Sequence, residues 1–320
     1  MDAKKSNLPA GLSNRDPFKN RIGDYFRSFK KIQLKKYFWL FLLPTAAAFF
    51  VGFLWPFIRG IYLSFCEFRN IKSARFIGLE NYINAFRDAG FIRSFIYTVA
   101  FTLVSVVLVN LLAFAVAFVL TRGIKGSNLF RTVFFMPNLI GGIVLGYIWQ
   151  LIINGFLGWY VGQDITYSTA YGFWGLVILM CWQQVGYMMI IYIAGLQSVP
   201  DHLVEASKID GATGWDTLKN VILPYTRPAI TICTFLTLTN SFKLYDQNEA
   251  LTAGRPIEIL ADGSQVKTTS MIAKNIVDNF AETYASSNGT AQAKAVLFFL
   301  VVVAISLLQL YLTRRKEIEQ

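Results

Sequence analysis

Two short stretches place polar, uncharged side chains at helical spacing inside otherwise apolar runs. Near the start of the run Phe173–Leu196 stand Trp182, Gln183, Gln184 and Tyr187; Gln183 and Tyr187, four apart, share a helical face. Within Pro228–Phe242, Thr237, Asn240 and Ser241 form an i, i+3, i+4 stripe. Amides, hydroxyls and aromatic rings offer donors, acceptors and apolar platforms together. That set suits holding a neutral, polyhydroxylated molecule without breaking its bonds. The same residue types also hydrogen-bond one helix to another, and spacing alone does not separate the two roles.

Reaction chemistry has little to draw on. His202 is the single histidine, so a His-based metal or acid–base site is not expected. Cys66, Cys181 and Cys233 are odd in number, lack a CxxC spacing, and read as small buried hydrophobes. No GxxxxGK[S/T] motif is present, so the chain carries no recognisable ATP-binding P-loop.

The elements that hold these residues follow from composition. Of 320 residues, 54% are hydrophobic and only 15% charged, against about 25% in soluble domains; the mean hydropathy is +0.45. A polytopic, all-α membrane protein is expected. Six windows near the roughly 20 apolar residues of a span are Tyr37–Ile58, Phe95–Leu120, Val133–Ile153, Phe173–Leu196, Pro228–Phe242 and Ala295–Leu312. The fifth is short and rich in Thr and Asn, and counts as a span because its polar residues keep to one face. The first is too long, and lacks a cleavage site, for a removable signal peptide. None of the window cores holds Asp, Glu, His, Lys or Arg; Arg59, Arg227, Lys243 and Asp246 sit at margins. A proton relay within the spans is therefore not expected, while ion coupling through backbone carbonyls stays open; without such coupling and without a P-loop, any energy-driven work by this chain would draw on another chain.

Net charge is +11. The excess follows the spans, as membrane orientation demands, and nucleic acid is not an expected partner. The N-terminal tail, Arg122–Arg131, Gln197–Arg227 and the C-terminal tail together carry 19 of the 30 Lys and Arg, which puts both termini in the cytoplasm. In the tail, Phe18, Ile22, Tyr25, Phe26 and Phe29 share a helical face among basic residues: either a helix lying on anionic membrane lipid or a disordered basic segment.

Between the fourth and fifth windows lies a polar insert, Ser198–Pro224. Ser198-Val-Pro-Asp201 fits a capping box, Leu203, Ala206 and Ile209 recur on one face, and Glu205 and Lys208 lie on another. Asp210-Gly211 breaks the helix, and Thr213-Gly-Trp-Asp216 is a second capping box. Trp215, Leu218 and Ile222 extend an apolar face to Pro224, where the segment is expected to end. The result is a capped helix–turn–helix elbow. An ordinary connector between spans has the same look.

The stretch "EASKIDGA…VILP" resembles the EAA signature of membrane subunits of binding-protein-dependent ABC importers. Glu205, Ala206, Gly211, Leu223 and Pro224 match; Ser207 replaces an Ala and Val221 an Ile. "FIGLENYINAF", "RTVFFMPNLIGGIVLGYIW", "WQQVGYMMIIYIAGLQSVP" and "TNSFKLYDQNEALTAGRP" resemble the carbohydrate-type subfamily, so the likeness covers about Tyr37 to Thr313. After Leu-Thr the family usually has Gly-Gly-Pro; here Ala253, Gly254, Arg255 and Pro256 stand there.

The resemblance implies the six-helix type I importer architecture in a bacterial cytoplasmic membrane. The permease domain would be residues 37–313, flanked by cytoplasmic tails 1–36 and 314–320. It implies a cytoplasmic coupling helix between spans four and five, where Glu205, Ala206, Ser207, Asp210 and Gly211 meet an ATPase. It implies a pathway lined by Met180, Gln183, Gln184, Tyr187, Thr237, Asn240 and Ser241. No cofactor is expected in this chain; ATP and Mg belong to the partner. Expected partners are a second permease, two ATPase subunits and an extracytoplasmic solute-binding protein, with a neutral sugar, an oligosaccharide by preference, as cargo. The alternatives are an importer for an amino sugar, polyol or glycerol phosphate, and a secondary transporter or membrane scaffold without an ATPase.

Overall fold

The computed structural model describes residues 34–281 and 288–314. The basic segment Phe18–Phe29 and the C-terminal tail beyond Arg314 lie outside them. The described residues fall into two units that part between Arg59 and Gly60. Helix α1 (Leu34–Phe49) is followed by a π-turn, Phe50–Leu54, and by α2 (Trp55–Leu63). Next come β1 (Cys66–Glu67), β2 (Arg75–Phe76), α3 (Glu80–Arg87), α4 (Ala89–Leu120), α5 (Ser127–Phe135), α6 (Gly142–Tyr160) and α7 (Thr169–Gln197). The chain continues through α8 (Asp201–Ile209), α9 (Gly214–Thr217), a second π-turn (Leu218–Ile222), α10 (Leu223–Phe242) and α11 (Asp246–Thr252). It closes with β3 (Ile257–Ile259), β4 (Gln265–Lys267), α12 (Ile272–Ala281) and α13 (Asn288–Arg314).

Among the described residues, six helical stretches are long and apolar enough to cross a membrane: Phe38–Leu63, Ala89–Leu120, Gly142–Tyr160, Thr169–Gln197, Gly214–Phe242 and Asn288–Thr313. The expected number of spans holds, but several boundaries move. The third does not begin at Val133. Pro137 lies in a 3-10 turn, Met136–Leu139, and Gly141 has extended backbone, so α5 ends at Phe135 and the span restarts at Gly142. The fifth begins at Gly214 instead of Pro228 and ends, as the window does, at Phe242.

Pro224 does not end the polar insert. The Leu223 N–H bonds to the Leu218 carbonyl, an i→i−5 step, and the helix runs on through Pro224 and Pro228. Proline lacks an N–H and its ring crowds the carbonyl four residues back; a widened turn moves that carbonyl away. The first unit uses the same device. There the Trp55 N–H bonds to the Phe50 carbonyl, and Pro56 follows the π-turn at the same spacing.

In the second unit α7 is the central element: 67% of its most apolar window is buried, against 28% for α4. Buried Phe101, Val109, Ala113 and Ala117 of α4 join the main core with Leu176, Met180, Met188 and Tyr192 of α7. Leu103, Val107 and Leu111 form an exposed apolar stripe on α4, as a lipid-facing surface requires. At one end of this unit, buried Asn81 donates to the carbonyls of Ser64 (3.0 Å) and Cys66 (2.9 Å), tying α3 to the β1–β2 pair. The β3–β4 hairpin pairs Ile257 with Lys267. In its turn, Asp262 accepts from the Ser264 hydroxyl and N–H, which hold its carboxyl below the usual range.

Ala253 closes α11 with φ 50° and ψ 24°, a left-handed conformation that costs an L-residue about 1–2 kcal/mol. Gly254 has φ 82°, whereas Arg255 does not take a left-handed φ, so arginine at that position meets no left-handed penalty. Ala253→Gly is expected to stabilise the protein by up to about 1 kcal/mol after the entropic cost of glycine. A higher midpoint of thermal unfolding in detergent checks it.

Candidate functional site

The polar residues of α7 meet the end of α10 and the start of α11. Met180, Gln184, Asn240, Lys243, Leu244 and Gln247 line a cavity of about 220 Å³. The Asn240 amide donates to Gln184 Oε1 at 3.4 Å, and the Gln247 amide to Gln183 Oε1 at 2.8 Å. Gln183 also lies 3.5 Å from the Ile140 carbonyl, next to the Pro137 break. Four of the seven sequence-predicted pathway residues thus lie at or beside one polar cavity: Met180, Gln183, Gln184 and Asn240.

The other three face elsewhere. Thr237 and Ser241, four apart, share the buried face of α10, while Asn240 is turned about 60° from Thr237 and about 100° from Ser241. Thr237 donates to the Cys233 carbonyl (2.8 Å) and accepts from Asn110 Nδ2 (3.4 Å). The Tyr192 hydroxyl donates to Asn110 Oδ1 (2.7 Å). Ser241 is fully buried. Tyr187 is half-buried against the core around α7. Asn110→Leu is expected to destabilise the chain by about 1–3 kcal/mol, because the Tyr192 hydroxyl is left buried without its acceptor. Thermal unfolding in detergent, with Asn110→Gln as the milder control, measures it.

The second candidate is the elbow, at the opposite end of the unit, over a cavity of about 820 Å³ lined by the ends of α4 and α7. Its turn depends on Gly211, φ 78°, with open space where a side chain would stand. The second capping box forms: Thr213 Oγ1 accepts from the Asp216 N–H, and Asp216 Oδ2 accepts from the Thr213 N–H at 3.1 Å. The first does not. Pro200, which has no side-chain donor or acceptor, occupies the N-cap of α8. The Ser198 hydroxyl turns back to the Gly195 carbonyl of α7 (2.7 Å).

The faces of α8 also differ from the expected row. Val204 and Ser207 turn inward with Leu203, while Ala206 is exposed and Ile209 is 86% exposed. Ser207 Oγ donates to the Val204 carbonyl and lies 3.0 Å from Thr217 Oγ1, a clasp between the two arms. The outer surface therefore presents Glu205, Ala206, Ile209, Asp210, Gly211 and Trp215. Because α9, the π-turn and α10 run without interruption, the second arm of the elbow is also the start of the fifth span.

The family model for binding-protein-dependent transport system inner membrane components matches residues 110–318. This chain belongs to that family. It is 43% identical over 292 residues to a probable starch degradation products transport system permease protein, AmyD, of Thermoanaerobacterium thermosulfurigenes, covering 88% of this chain and 96% of the relative. It is 29% identical to the multiple sugar-binding transport system permease protein MsmF of Streptococcus mutans, covering 90% and 99%. Among solved structures it is similar to a bacterial ABC transporter involved in import of the acidic polysaccharide alginate. There the TM-score is 0.69 at 18% identity, covering 90% of this chain and 99% of that one. This last likeness speaks for the fold: the six-helix ABC importer permease architecture implied by the sequence resemblance.

Within this inner membrane component, sequence reasoning missed Asn110, Lys243 and Gln247 at the two polar clusters. A single Asn in an apolar span has no periodicity to announce it, and Lys243 and Gln247 stood beyond the last window residue. It also missed two buried lysines. The sixth span starts at Asn288, seven residues before its window, and so includes Lys294, which is 0% exposed; Lys274 of α12 is 2% exposed. Arg93 and Arg227 likewise fall inside observed spans. The absence of charge that held for the narrower windows does not hold for the full helices.

Proposed function

We propose that this chain is the permease subunit of an ATP-driven sugar importer, with oligosaccharides as cargo. The full-length likeness to a permease named for starch degradation products carries the reading. The cavity supports it: amides of Gln184, Asn240 and Gln247 are suited to hydroxyl donors and acceptors. At about 220 Å³ it is below the roughly 300–1,000 Å³ of sites for drug-sized ligands. It therefore contacts one segment of a longer chain at a time, with a second permease supplying the facing wall.

In this reading both termini and the elbow are cytoplasmic. Glu205, Ala206, Ser207, Asp210 and Gly211 form the coupling segment: Glu205 and Ala206 meet the ATPase, Gly211 sets the turn, and Ser207 stiffens the elbow through Thr217. ATP and Mg bind the partner ATPases, and a solute-binding protein delivers cargo at the end bearing the β3–β4 hairpin. Among the sequence-predicted pathway residues, Gln184 and Asn240 make the cargo contacts, while Thr237 and Ser241 support them from behind.

Lys243 on the cavity wall favours a second reading, an anionic cargo. The chain is also 28% identical over 292 residues to the sn-glycerol-3-phosphate permease UgpA of Yersinia pseudotuberculosis. Uptake of labelled maltodextrin and glycerol 3-phosphate, by vesicles holding the full assembly and its binding protein, decides between them. Saturable, ATP-dependent maltodextrin uptake is expected; uptake of the phosphate alone rejects the oligosaccharide reading.

A further inference from the structure

Among the described residues, Lys274 and Lys294 are the only buried charged side chains; Lys274 stands on α12, and Lys294 reaches the same helix from α13. Lys294 of α13 donates to Asp88 and to Asn279 of α12, and lies 3.5 Å from Asn275 Oδ1. Asp88 is also the N-cap of α4, accepting from the N–H groups of Gly90 and Phe91. Lys274 of α12 donates to Glu249 of α11 and, at 3.1 Å, to Asp278, which also takes Lys267 of β4 at 2.7 Å. Burial opposes the Lys274 charge, but Glu249 and Asp278 outweigh that cost and raise its pKa. Buried ion pairs seldom stabilise a fold more than apolar side chains of the same size, so stability alone does not account for these two.

Their position suggests what they fix. Glu249 lies two residues from Gln247, which lines the polar cavity and bonds Gln183. Three residues, Lys243–Tyr245, join α11 to the fifth span, which is helical from the elbow at Gly214 to Phe242, roughly 43 Å. Elbow, span and cavity wall form one mechanical line, and Glu249–Lys274 ties its far end to α12, hence to α4 and α13. The Lys274 side chain is 3% exposed and keeps Asp278 as a second partner, whereas that of Glu249 is 38% exposed, so its carboxylate has access to water if the pair opens.

We propose that Lys274 is a positioning residue for transport: through Glu249 it pins α11, and with it the Gln247 wall of the cavity, until the elbow moves. The inference rests on the importer reading above and adds a residue that never touches cargo. The pin keeps ATP hydrolysis from running while cargo is absent.

The test uses the full assembly in vesicles and compares hydrolysis with and without cargo-loaded binding protein. Lys274→Met and Glu249→Gln are expected to raise the unstimulated rate at least about fivefold, the lower end of measured couplings between sites, with the stimulated rate within about twofold of wild type. Lys274→Arg is expected to restore tight coupling. If Lys274→Met fails to assemble, Glu249→Gln decides, since its carboxylate is part exposed and its amide nearly isosteric. An unchanged ratio in a folded Glu249→Gln assembly overturns the proposal, whether or not its melting temperature falls. Gln247→Ala keeps the two ideas apart. If it lowers uptake while Glu249→Gln leaves the ratio alone, the pin fails and the pathway reading stands. If wild-type hydrolysis is not stimulated by loaded binding protein, the importer reading itself fails, and the pin with it.

Discussion

Glu205→Lys is expected to abolish solute uptake and to uncouple ATP hydrolysis from cargo, while membrane insertion and assembly of the permease pair remain normal. Glu205 projects from the exposed side of α8, next to Ala206 and away from the inward Val204 and Ser207. Among the described residues its side chain makes no hydrogen bond or ion pair, so a lysine there is expected to be tolerated by the chain itself. In the docking proposed above Glu205 meets the ATPase, and a lysine there reverses the charge offered to it. Loss of a buried charge contact at an interface costs about 2–5 kcal/mol, and like-charge juxtaposition adds to it. Even the middle of that range weakens docking by about a hundredfold or more. Uptake into vesicles, hydrolysis with and without loaded binding protein, and yield of the purified assembly measure the three effects. Normal uptake by the variant rejects the coupling role.

The largest effect on folding is expected at Gly186. A Cβ there would run into the Phe134 carbonyl oxygen and stand 2.8 Å from the Phe135 nitrogen, both backbone atoms. These atoms belong to the last turn of α5, which ends against α7 where Pro137 breaks the helix. Backbone has no rotamer to yield, so Gly186→Ala has to separate two elements. The cost is expected at about 3 kcal/mol or more, the upper part of the range for overpacking. The displacement would also reach Gln183 and Gln184, one turn away. Gly158→Ala in α6 is the control: nothing lies within 4 Å of its Cβ position, and the change is expected to be neutral or stabilising by up to about 1 kcal/mol. Thermal unfolding of both variants in detergent compares them; a Gly186→Ala protein as stable as wild type contradicts the close approach.

The number of spans was legible because apolar length is a one-dimensional signal, and the turn at Gly211 because a positive φ selects glycine. The Thr213–Asp216 cap was legible because both partners lie within one turn. Helix ends were less so. Hydropathy carried the third window across Pro137, since Val133–Ile153 is apolar on both sides of the break. It stopped the sixth window at Ala295, since buried Lys294 reads as polar until Asp88 and Asn279, distant in sequence, are brought to it. The helical spacing of Thr237, Asn240 and Ser241 was legible, but which edge of it faces the cavity depends on where α7 packs. Ser198 matched a capping box by spacing, and the α7 helix claimed its hydroxyl first.

The claim that force enters through the elbow is tested most directly by photo-crosslinking from position 206 in the full assembly. A crosslinking side chain in place of Ala206, exposed beside Glu205, is expected to capture the ATPase subunit, with a yield that changes between nucleotide-free and ATP-bound states. Capture of the solute-binding protein, or labelling of this position from outside sealed cells, would contradict it.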